Sequence, residues 1–264
     1  MAASFTTPSA AGPYEIHVPD AELDKLKQKL SLATFPDELV DTAGELGASL
    51  SEVKELAEYW RDGFDWRAQE AKLNQLPNFH RSIPVTGFGE LDIHYLHQKS
   101  SSPSAIPLLF VHGWPGNYLE VTKLLPHLGD EMNGVAFDVV APSLPNYGWS
   151  EGVKQKGFGL KQYATCFDQL MRDLGYERYV TQGGDWGMMI TRTMGLLFPE
   201  RVLASHINMV RGAVSRQSFL PHTLRRCLLT YRHTAAKIHL PTPARRPTRP
   251  HALHIRRPCR LRPQ

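Results

Sequence analysis

The chain has 264 residues, a hydrophobic share of 42% and a formal net charge of +4, which are ordinary values for a globular protein with a sizeable core. No apolar run approaches the roughly 20 residues that a membrane-spanning helix needs, and the first residues lack the basic and apolar regions of a secretory signal. The three cysteines, Cys166, Cys227 and Cys259, have no metal-binding or redox spacing. We therefore expect a reduced, cytoplasmic protein without a metal or cofactor.

The charge is unevenly distributed along the chain. All 26 Asp and Glu residues precede residue 201, whereas 12 of the 30 Lys and Arg residues follow residue 213. Prolines are frequent in that last segment and no periodicity persists, so residues 214–264 are predicted to be a basic tail of low order. The tail is either an arm for nucleic acid or membrane surfaces or a stretch translated out of frame. Its Arg, Pro and His content favours the second explanation, because GC-rich codons read out of frame yield these residues.

The first 80 residues show helical patterns and no candidate catalytic cluster. Residues 1–13 are expected to be a flexible leader. Within residues 14–80, the alternation over 14–18 predicts a short strand. Apolar residues at helical spacing then predict three helices, which begin at Asp20, at a capping box of Ser49 and Glu52, and at Asp65.

Residues 81–213 alternate between strand and helix patterns. Residues 81–97 read as a β-hairpin with His94 on its outer face. Later strands are predicted at 107–111, 137–140, 179–182 and 204–210, with helices over 160–174 and from Trp186 to the residue before Pro199. This alternation predicts an α/β domain with a mostly parallel sheet.

The sequence Gly183-Gly184-Asp185-Trp186-Gly187 directly follows the predicted strand 179–182. Its spacing is that of a nucleophile elbow, with a carboxylate where serine is usual. The flanking glycines allow a sharp turn from strand to helix, and the N-terminus of the next helix favours negative charge. The motif predicts that Asp185 is a nucleophile that forms an alkyl ester. The alternative is a glycine-rich turn with a solvated aspartate.

A second motif, His112-Gly113-Trp114-Pro115-Gly116, follows the predicted strand 107–111. In α/β-hydrolases a loop of this kind supplies one backbone N–H of the oxyanion hole, and the residue after the nucleophile supplies the other. The candidate donors are thus the amides of Trp114 and Trp186. His112 is interpreted as a residue packed beneath the turn, not as a general base.

The sequence Gly148-Trp149-Ser150-Glu151-Gly152 also matches a serine-hydrolase motif, G-x-S-x-G. It lies in a loop rich in proline and glycine and does not lead into a helix. Because the motif requires a strand, a turn and a helix in succession, Ser150 is not assigned as a nucleophile.

Residues 14 to about 210 resemble the epoxide hydrolases of the microsomal type. Beside the motifs of Asp185 and Trp114, the resemblance rests on several shorter ones: Tyr59-Trp60, Phe64-Asp65-Trp66-Arg67, Leu73-Asn74, Ile93-His94-Tyr95, Pro142-Ser143-Leu144-Pro145 and Leu174-Gly175-Tyr176. It implies an N-terminal helical meander followed by an α/β-hydrolase sheet with a helical cap inserted late. It also implies that Asp185 attacks an epoxide carbon, and that a histidine paired with an acid activates water to hydrolyse the ester.

The resemblance stops where the family's cap, catalytic acid and base histidine would follow strand 204–210. The tail occupies that place, and no base is assigned among its histidines, which have no acidic residue near them: His222, His233, His239, His251 and His254. We therefore expect an incomplete α/β-hydrolase sheet over 81–213, in a chain truncated or frameshifted after it.

The implied function is that of an epoxide hydrolase with impaired turnover, acting on a small-molecule epoxide and not on nucleic acid. Two alternatives stay open. One is an aspartate hydrolase like the haloalkane dehalogenases, against which the N-terminal meander argues. The other is a non-catalytic interaction protein that uses the basic tail.

Overall fold

The N-terminal part of the described chain is mainly helical. The computed structural model describes residues 12–39, 44–45, 47–130 and 134–209. After a two-residue strand β1 (Gly12–Pro13), the helices are α1 (Asp20–Ser31), α2 (Leu50–Glu58), a π-helical turn (Tyr59–Gly63) and α3 (Trp66–Leu73). The predicted capping box is present, because Ser49 accepts from the amide of Glu52 and the Glu52 carboxylate accepts from the amide of Ser49.

The strand predicted over 14–18 is wrong. Only the amide of Tyr14 still bonds to the neighbouring strand, donating to the carbonyl of Asn78 at 2.8 Å, and the next two bonds go to α3. The amide of Ile16 donates to Asn74 Oδ1 at 2.8 Å, and the amide of Val18 donates to Glu70 Oε1 at 2.6 Å. Ile16 is nevertheless buried, so the alternation of side chains over 14–18 correctly predicted the burial of this residue. The strand pairing lies earlier, where Gly12 and Pro13 pair with the next strand.

The remaining elements alternate between strands and helices. They are β2 (Asn78–Val85), β3 (Gly89–Gln98), β4 (Ile106–Val111), a 3₁₀ turn (Tyr118–Val121), α4 (Leu125–Gly129), β5 (Phe137–Pro142), α5 (Leu160–Asp173), β6 (Tyr179–Gly183), α6 (Asp185–Leu197) and β7 (Val202–Ile207). The predicted hairpin is thus confirmed as β2 and β3, beginning three residues earlier than expected. The helices predicted over 160–174 and up to Pro199 are also confirmed.

The described strands form one mixed sheet in the order β1-β2-β3-β5-β4-β6-β7. The pairs β5–β4, β4–β6 and β6–β7 are parallel, whereas β1–β2, β2–β3 and β3–β5 are antiparallel. The α/β class is confirmed. The mostly parallel pairing predicted for the strands after the hairpin is confirmed as well, because β4, β5, β6 and β7 pair with one another only in parallel. The antiparallel pairings all involve β1, β2 or β3. The parallel half is the part that carries the two motifs.

Apolar side chains cover both faces of the sheet. On one face α5 and α6 pack on a cluster that includes Ile93, Leu109 and Val140, and α5 contributes Phe167 and Leu170. On the other face a smaller cluster includes Leu96, Phe110 and Val139, covered by the 3₁₀ turn and α4. The parallel strands are therefore held rigidly from both sides, which fixes the loops at their carboxyl ends.

The described residues belong to one compact unit within residues 1–211. Among them no helix is both long and apolar enough to cross a membrane. The predicted leader over 1–13, apart from its last two residues, and the predicted tail over 214–264 lie outside the described residues.

Candidate active site

Asp185 lies at the turn between β6 and α6, the place that the sequence predicts. Its backbone has a φ of 49°, in the left-handed region that few non-glycine residues adopt. The turn brings α6 against β4, and a side chain at Gly187 would collide with the carbonyl oxygen of Val111. Only glycine permits this approach. The strained backbone at Asp185 and the glycine behind it together lift the carboxylate above the carboxyl ends of β4 and β6.

The Trp114 loop meets Asp185 directly. The backbone N–H of Trp114 donates to Asp185 Oδ1 at 3.0 Å. Gly113 allows the contact, because a Cβ there would lie 2.7 Å from the Cβ of Asp185. The peptide bond between Trp114 and Pro115 is cis. The structure thus brings together two segments that are 71 residues apart in the sequence.

Trp186, the second predicted donor, is the second residue of α6. Amides in the first turn of a helix have no partner within the helix and point out from its N-terminal end. The position agrees with the predicted role, while the role of either amide in catalysis stays a prediction.

His112 lies beneath the Trp114 loop, fully buried. Its Nε2 accepts a hydrogen bond from the amide of Leu144 at 3.0 Å, and its Nδ1 lies 2.9 Å from the carbonyl oxygen of Gly113. Because Nε2 accepts, the ring proton is on Nδ1 and donates to Gly113. Burial lowers the pKa of His112, against the opposing effect of the Gly113 hydrogen bond, so the ring is neutral at neutral pH. Both ring nitrogens are engaged.

The outward orientation predicted for His94 is wrong. His94 is fully buried, with Nδ1 2.9 Å from Ser143 Oγ and Nε2 3.2 Å from Asn78 Oδ1. Burial, with a contribution from His80, lowers its pKa to about 3, so the ring stays neutral. Strict strand alternation missed this residue because β3 is buried on both faces over residues 93–96. The one signal in the sequence for a buried His94 was the Pro142-Ser143 motif. A buried imidazole requires polar partners, and Ser143 is such a partner in the folded chain.

Ser150, which the sequence excludes as a nucleophile, has a structural role. Its hydroxyl donates to the carbonyl of Ser143 at 2.8 Å and accepts from the amide of His94 at 3.0 Å. It therefore closes the loop that follows β5 onto β3.

Two residues beside the site had no signal in the sequence. Burial raises the pKa of the Glu120 carboxyl, and the charge of Asp185 adds to this against hydrogen bonds from the amides of Gly113 and Asn117. Burial and the same charge raise the pKa of Tyr147. The negative charge of Asp185 thus raises the pKa of both groups. Glu120 and Tyr147 come close to Asp185 through long-range packing, which spacing along the chain does not reveal.

A pocket of about 510 Å³ lies beside the Trp114 loop. Its lining is mainly aromatic and apolar, with a few polar groups: Trp66, Leu73, Trp114, Pro115, Gly116, Asn117, Tyr118, Leu119, Asn146, Tyr147, Gly148 and Trp149. Asp185 does not itself line the pocket. Two of the lining residues interact with it, Trp114 through a hydrogen bond and Tyr147 through its charge. Helix α3 contributes one wall, so the N-terminal meander takes part in shaping the surroundings of the site.

The described residues provide no grouping of three or more His, Cys, Asp or Glu side chains suited to a metal ion. The tail histidines considered as bases, from His222 to His254, lie outside the described residues.

Two protein-family models match this chain, one over its N-terminal part and one over its central part. A family model described as the epoxide hydrolase N terminus matches residues 11–121, and a model of the alpha/beta hydrolase fold matches residues 106–230. The first model covers the helical meander and the Trp114 loop, and the second covers both motifs. The two models together match most of the chain.

Individual relatives agree with the family models. Epoxide hydrolase 1 of Sus scrofa is 38% identical over 205 residues, which is 74% of this chain and 44% of the relative. Juvenile hormone epoxide hydrolase 1 of Ctenocephalides felis is 37% identical over 202 residues, which is 75% of this chain and 42% of the relative. The crystal structure of juvenile hormone epoxide hydrolase from Bombyx mori matches with a TM-score of 0.69 and 31% identity, over 77% of this chain and 53% of that one. This chain thus spans less than half the length of the two curated relatives.

Proposed function

For this chain, which belongs to the epoxide hydrolases with an α/β-hydrolase fold, we propose that Asp185 opens epoxides as a covalent nucleophile. The observation that carries the proposal is the hydrogen bond from the Trp114 amide to Asp185 Oδ1. It orients the carboxylate and puts an N–H donor at the oxygen on which charge develops when an ester of Asp185 is hydrolysed.

In the first step a lone pair on Asp185 Oδ2 forms a bond to an epoxide carbon. The C–O bond of the ring breaks, and its electron pair stays on the epoxide oxygen, which takes a proton from solvent. The product is a hydroxyalkyl ester of Asp185. Ring opening relieves strain in the substrate, so an oriented carboxylate is the chief requirement that the chain must supply.

In the second step a water oxygen attacks Cγ of Asp185 and loses a proton to a base. Oδ1 becomes an oxyanion beside the Trp114 amide, with the Trp186 amide as the second donor. Collapse of this intermediate restores the carbonyl, breaks the bond between Cγ and the alkyl oxygen, and releases a diol once that oxygen is protonated. The net reaction adds one water molecule to one epoxide.

The second step is proposed to be slow in this 264-residue chain. Hydrolysis of the ester needs a base. Two described histidines belong to the hydrogen-bond network of the Trp114 loop, His112 and His94, and in each of them both ring nitrogens are already hydrogen-bonded. General-base assistance contributes about 10²–10⁴-fold to such a step. Since neither of these two described histidines is available to take the proton, we expect the ester to accumulate.

The substrate class is proposed from the pocket and the relatives. A pocket of about 510 Å³ with three tryptophans suits an apolar substituent, and two of the relatives are named for hydrolysis of a juvenile hormone epoxide. An epoxide with an aryl or alkyl arm is therefore the proposed substrate. The absence of a nucleic-acid partner and the cytoplasmic location stay predictions from the sequence.

Intact mass spectrometry of the purified chain with styrene oxide tests the proposal. The chain should gain the mass of one epoxide per molecule, with little diol released. Asp185→Asn should form no adduct, because the amide lacks the nucleophilic charge while Asn still tolerates the positive φ of the turn. Asp24→Asn, on the exposed face of α1, is the matched control and should react like the wild type. Equal adduct in both variants would overturn the proposal.

A further inference from the structure

The peptide unit between Gly113 and Trp114 is held from both sides. Its N–H, which belongs to Trp114, donates to Asp185 Oδ1 at 3.0 Å. Its C=O, which belongs to Gly113, accepts from His112 Nδ1 at 2.9 Å. The two groups of a trans peptide point in opposite directions, so a hydrogen bond to one fixes the direction of the other.

His112 is in turn fixed from below. The amide of Leu144 donates to Nε2, and the ring is fully buried and neutral. Leu144 follows Ser143, whose amide bonds to the carbonyl of His94 on β3 at 2.9 Å and whose hydroxyl bonds to the His94 ring. Hydrogen bonds, joined by the backbone from Ser143 to Leu144, thus connect β3 to the carboxylate of Asp185.

We infer that His112 is a positioning residue for ester hydrolysis: its Nδ1–H orients and polarises the Gly113–Trp114 peptide so that the Trp114 N–H stabilises the oxyanion on Asp185 Oδ1. The inference rests on the proposed function. A hydrogen bond accepted by a peptide carbonyl strengthens the donor at the other end of the same peptide. The ring itself exchanges no proton with the substrate.

The two steps should depend on His112 differently. When Asp185 Oδ2 is alkylated, Oδ1 loses negative charge, so a stronger donor at Oδ1 does not accelerate that step. When water then attacks Cγ, Oδ1 gains a full charge, and the Trp114 N–H acts on it. A residue that only stabilises the fold would affect both steps alike.

Two substitutions separate the two sides of the ring. In His112→Asn the amide nitrogen takes the place of Nδ1 and keeps a donor to the Gly113 carbonyl, but the acceptor for Leu144 is lost. In His112→Gln the amide oxygen takes the place of Nε2 and keeps the acceptor for Leu144, but the donor to Gly113 is lost. The pair therefore distinguishes positioning of the peptide from support of the loop.

The first measurement does not require activity. In labelled protein, a long-range ¹H–¹⁵N spectrum should show His112 protonated on Nδ1. The ¹³C shift of the Gly113 carbonyl should move upfield in His112→Gln and stay near the wild-type value in His112→Asn. Protonation on Nε2, or a Gly113 shift that is the same in all three proteins, would overturn the inference even if a variant proves too unstable for kinetics or the wild type forms no ester.

The second measurement follows the ester after excess styrene oxide is removed. The rate of adduct formation should be similar in the three proteins. Adduct decay should slow about tenfold in His112→Gln, a part of the 10²–10³-fold lost when an oxyanion donor is removed outright, and stay near the wild-type rate in His112→Asn. Equal decay in both variants, or an equal loss in both steps, would contradict the role. A wild-type chain that forms no adduct would refute the proposed function instead, and the carbonyl shift would still decide the role of His112.

Discussion

At the scale of single residues, the site depends on glycines that let backbone segments approach one carboxylate. A methyl group at Gly187 would meet the carbonyl oxygens of Val111 and His112 at the end of β4. Backbone atoms cannot move aside as the end of a flexible side chain can. The close contact of α6 with β4, and with it the position of Asp185, therefore requires glycine at position 187.

Substitution of two glycines in α6 tests this requirement. Gly187→Ala should lower the free energy of unfolding by about 1–3 kcal/mol, because the added methyl overpacks against backbone. Gly195→Ala is the matched control, since nothing lies within 4 Å of an added Cβ there. It should raise the stability by about 0.4–1 kcal/mol, as expected for Gly to Ala within a helix. Urea denaturation of both variants measures the difference, and equal effects would show that the approach is not tight.

Residue-level reasoning placed Asp185 at a strand-to-helix turn and Trp114 in a loop after a strand, because both motifs carry the required glycines and lie directly after apolar strands. It misplaced His94, because alternation along a strand assumes one solvated face, and β3 has none at that position. Glu120 and Tyr147 had no signal at all. Their effect on the site comes from folding of two loops against each other, which local spacing does not encode.

At the scale of elements, α3 connects the N-terminal segment to the rest of the fold. Glu70 accepts hydrogen bonds from the amide of Val18 at 2.6 Å and from Trp66 Nε1 at 3.0 Å, and it pairs with Arg67. Asn74 forms two further hydrogen bonds with the backbone of Ile16. At Ile16 and Val18, side chains of one helix thus take the place of the strand partner that the alternation over 14–18 predicts.

Acid should release this connection. Burial raises the pKa of Glu70, but its hydrogen bonds from Val18, Arg67 and Trp66 outweigh that effect and leave the pKa lowered. A lowered pKa contributes stability above the ordinary carboxyl pKa, and that contribution is lost as the pH falls through the lowered value. The Val18 amide resonance should therefore titrate at a pH below the ordinary pKa of a glutamate side chain in the wild type. It should not titrate there in Glu70→Gln, whereas Glu55→Gln on α2 should behave like the wild type. A titration that persists in Glu70→Gln would assign it to another group.

Helices were predicted most accurately from the sequence where an apolar periodicity coincides with residues that typically begin or end a helix. Helix α5 combines an apolar stripe with a glycine of positive φ at position 175, and α2 begins at a complete capping box. The short helix α4 and the 3₁₀ turn were not predicted, because each is too short to show a period. Their shape is set by packing against the sheet.

At the scale of the whole molecule, the strand order brings the site together. Strand β4 lies between β5 and β6 and is parallel to both, so the carboxyl ends of β4 and β6 are neighbours. The Trp114 loop leaves one end and the Asp185 turn leaves the other. In open α/β sheets ligands bind outside the carboxyl ends of the strands, which is where both motifs lie.

The meeting of the two motifs could be expected from the sequence once their strands were taken as parallel neighbours. The strand order itself could not, because pairing between segments some 70 residues apart depends on the whole sheet. The sequence predicted the hairpin of β2 and β3, but not that β3 also pairs antiparallel with β5 and supports the loop of Ser143, on which His112 depends. The elbow motif indicated a carboxylate nucleophile, and the family resemblance indicated an epoxide as its target.

The origin of the oxygen in the product tests the central claim, that Asp185 forms the ester and water attacks its Cγ. The chain is reacted with one equivalent of styrene oxide in H₂¹⁸O, and the ester is left to decay. The proposed mechanism predicts ¹⁸O in the carboxylate of Asp185, seen by tandem mass spectrometry of the peptide that contains it, and a first diol without the label. Label in the diol with none in Asp185 would mean direct attack of water on the epoxide, and would contradict the account.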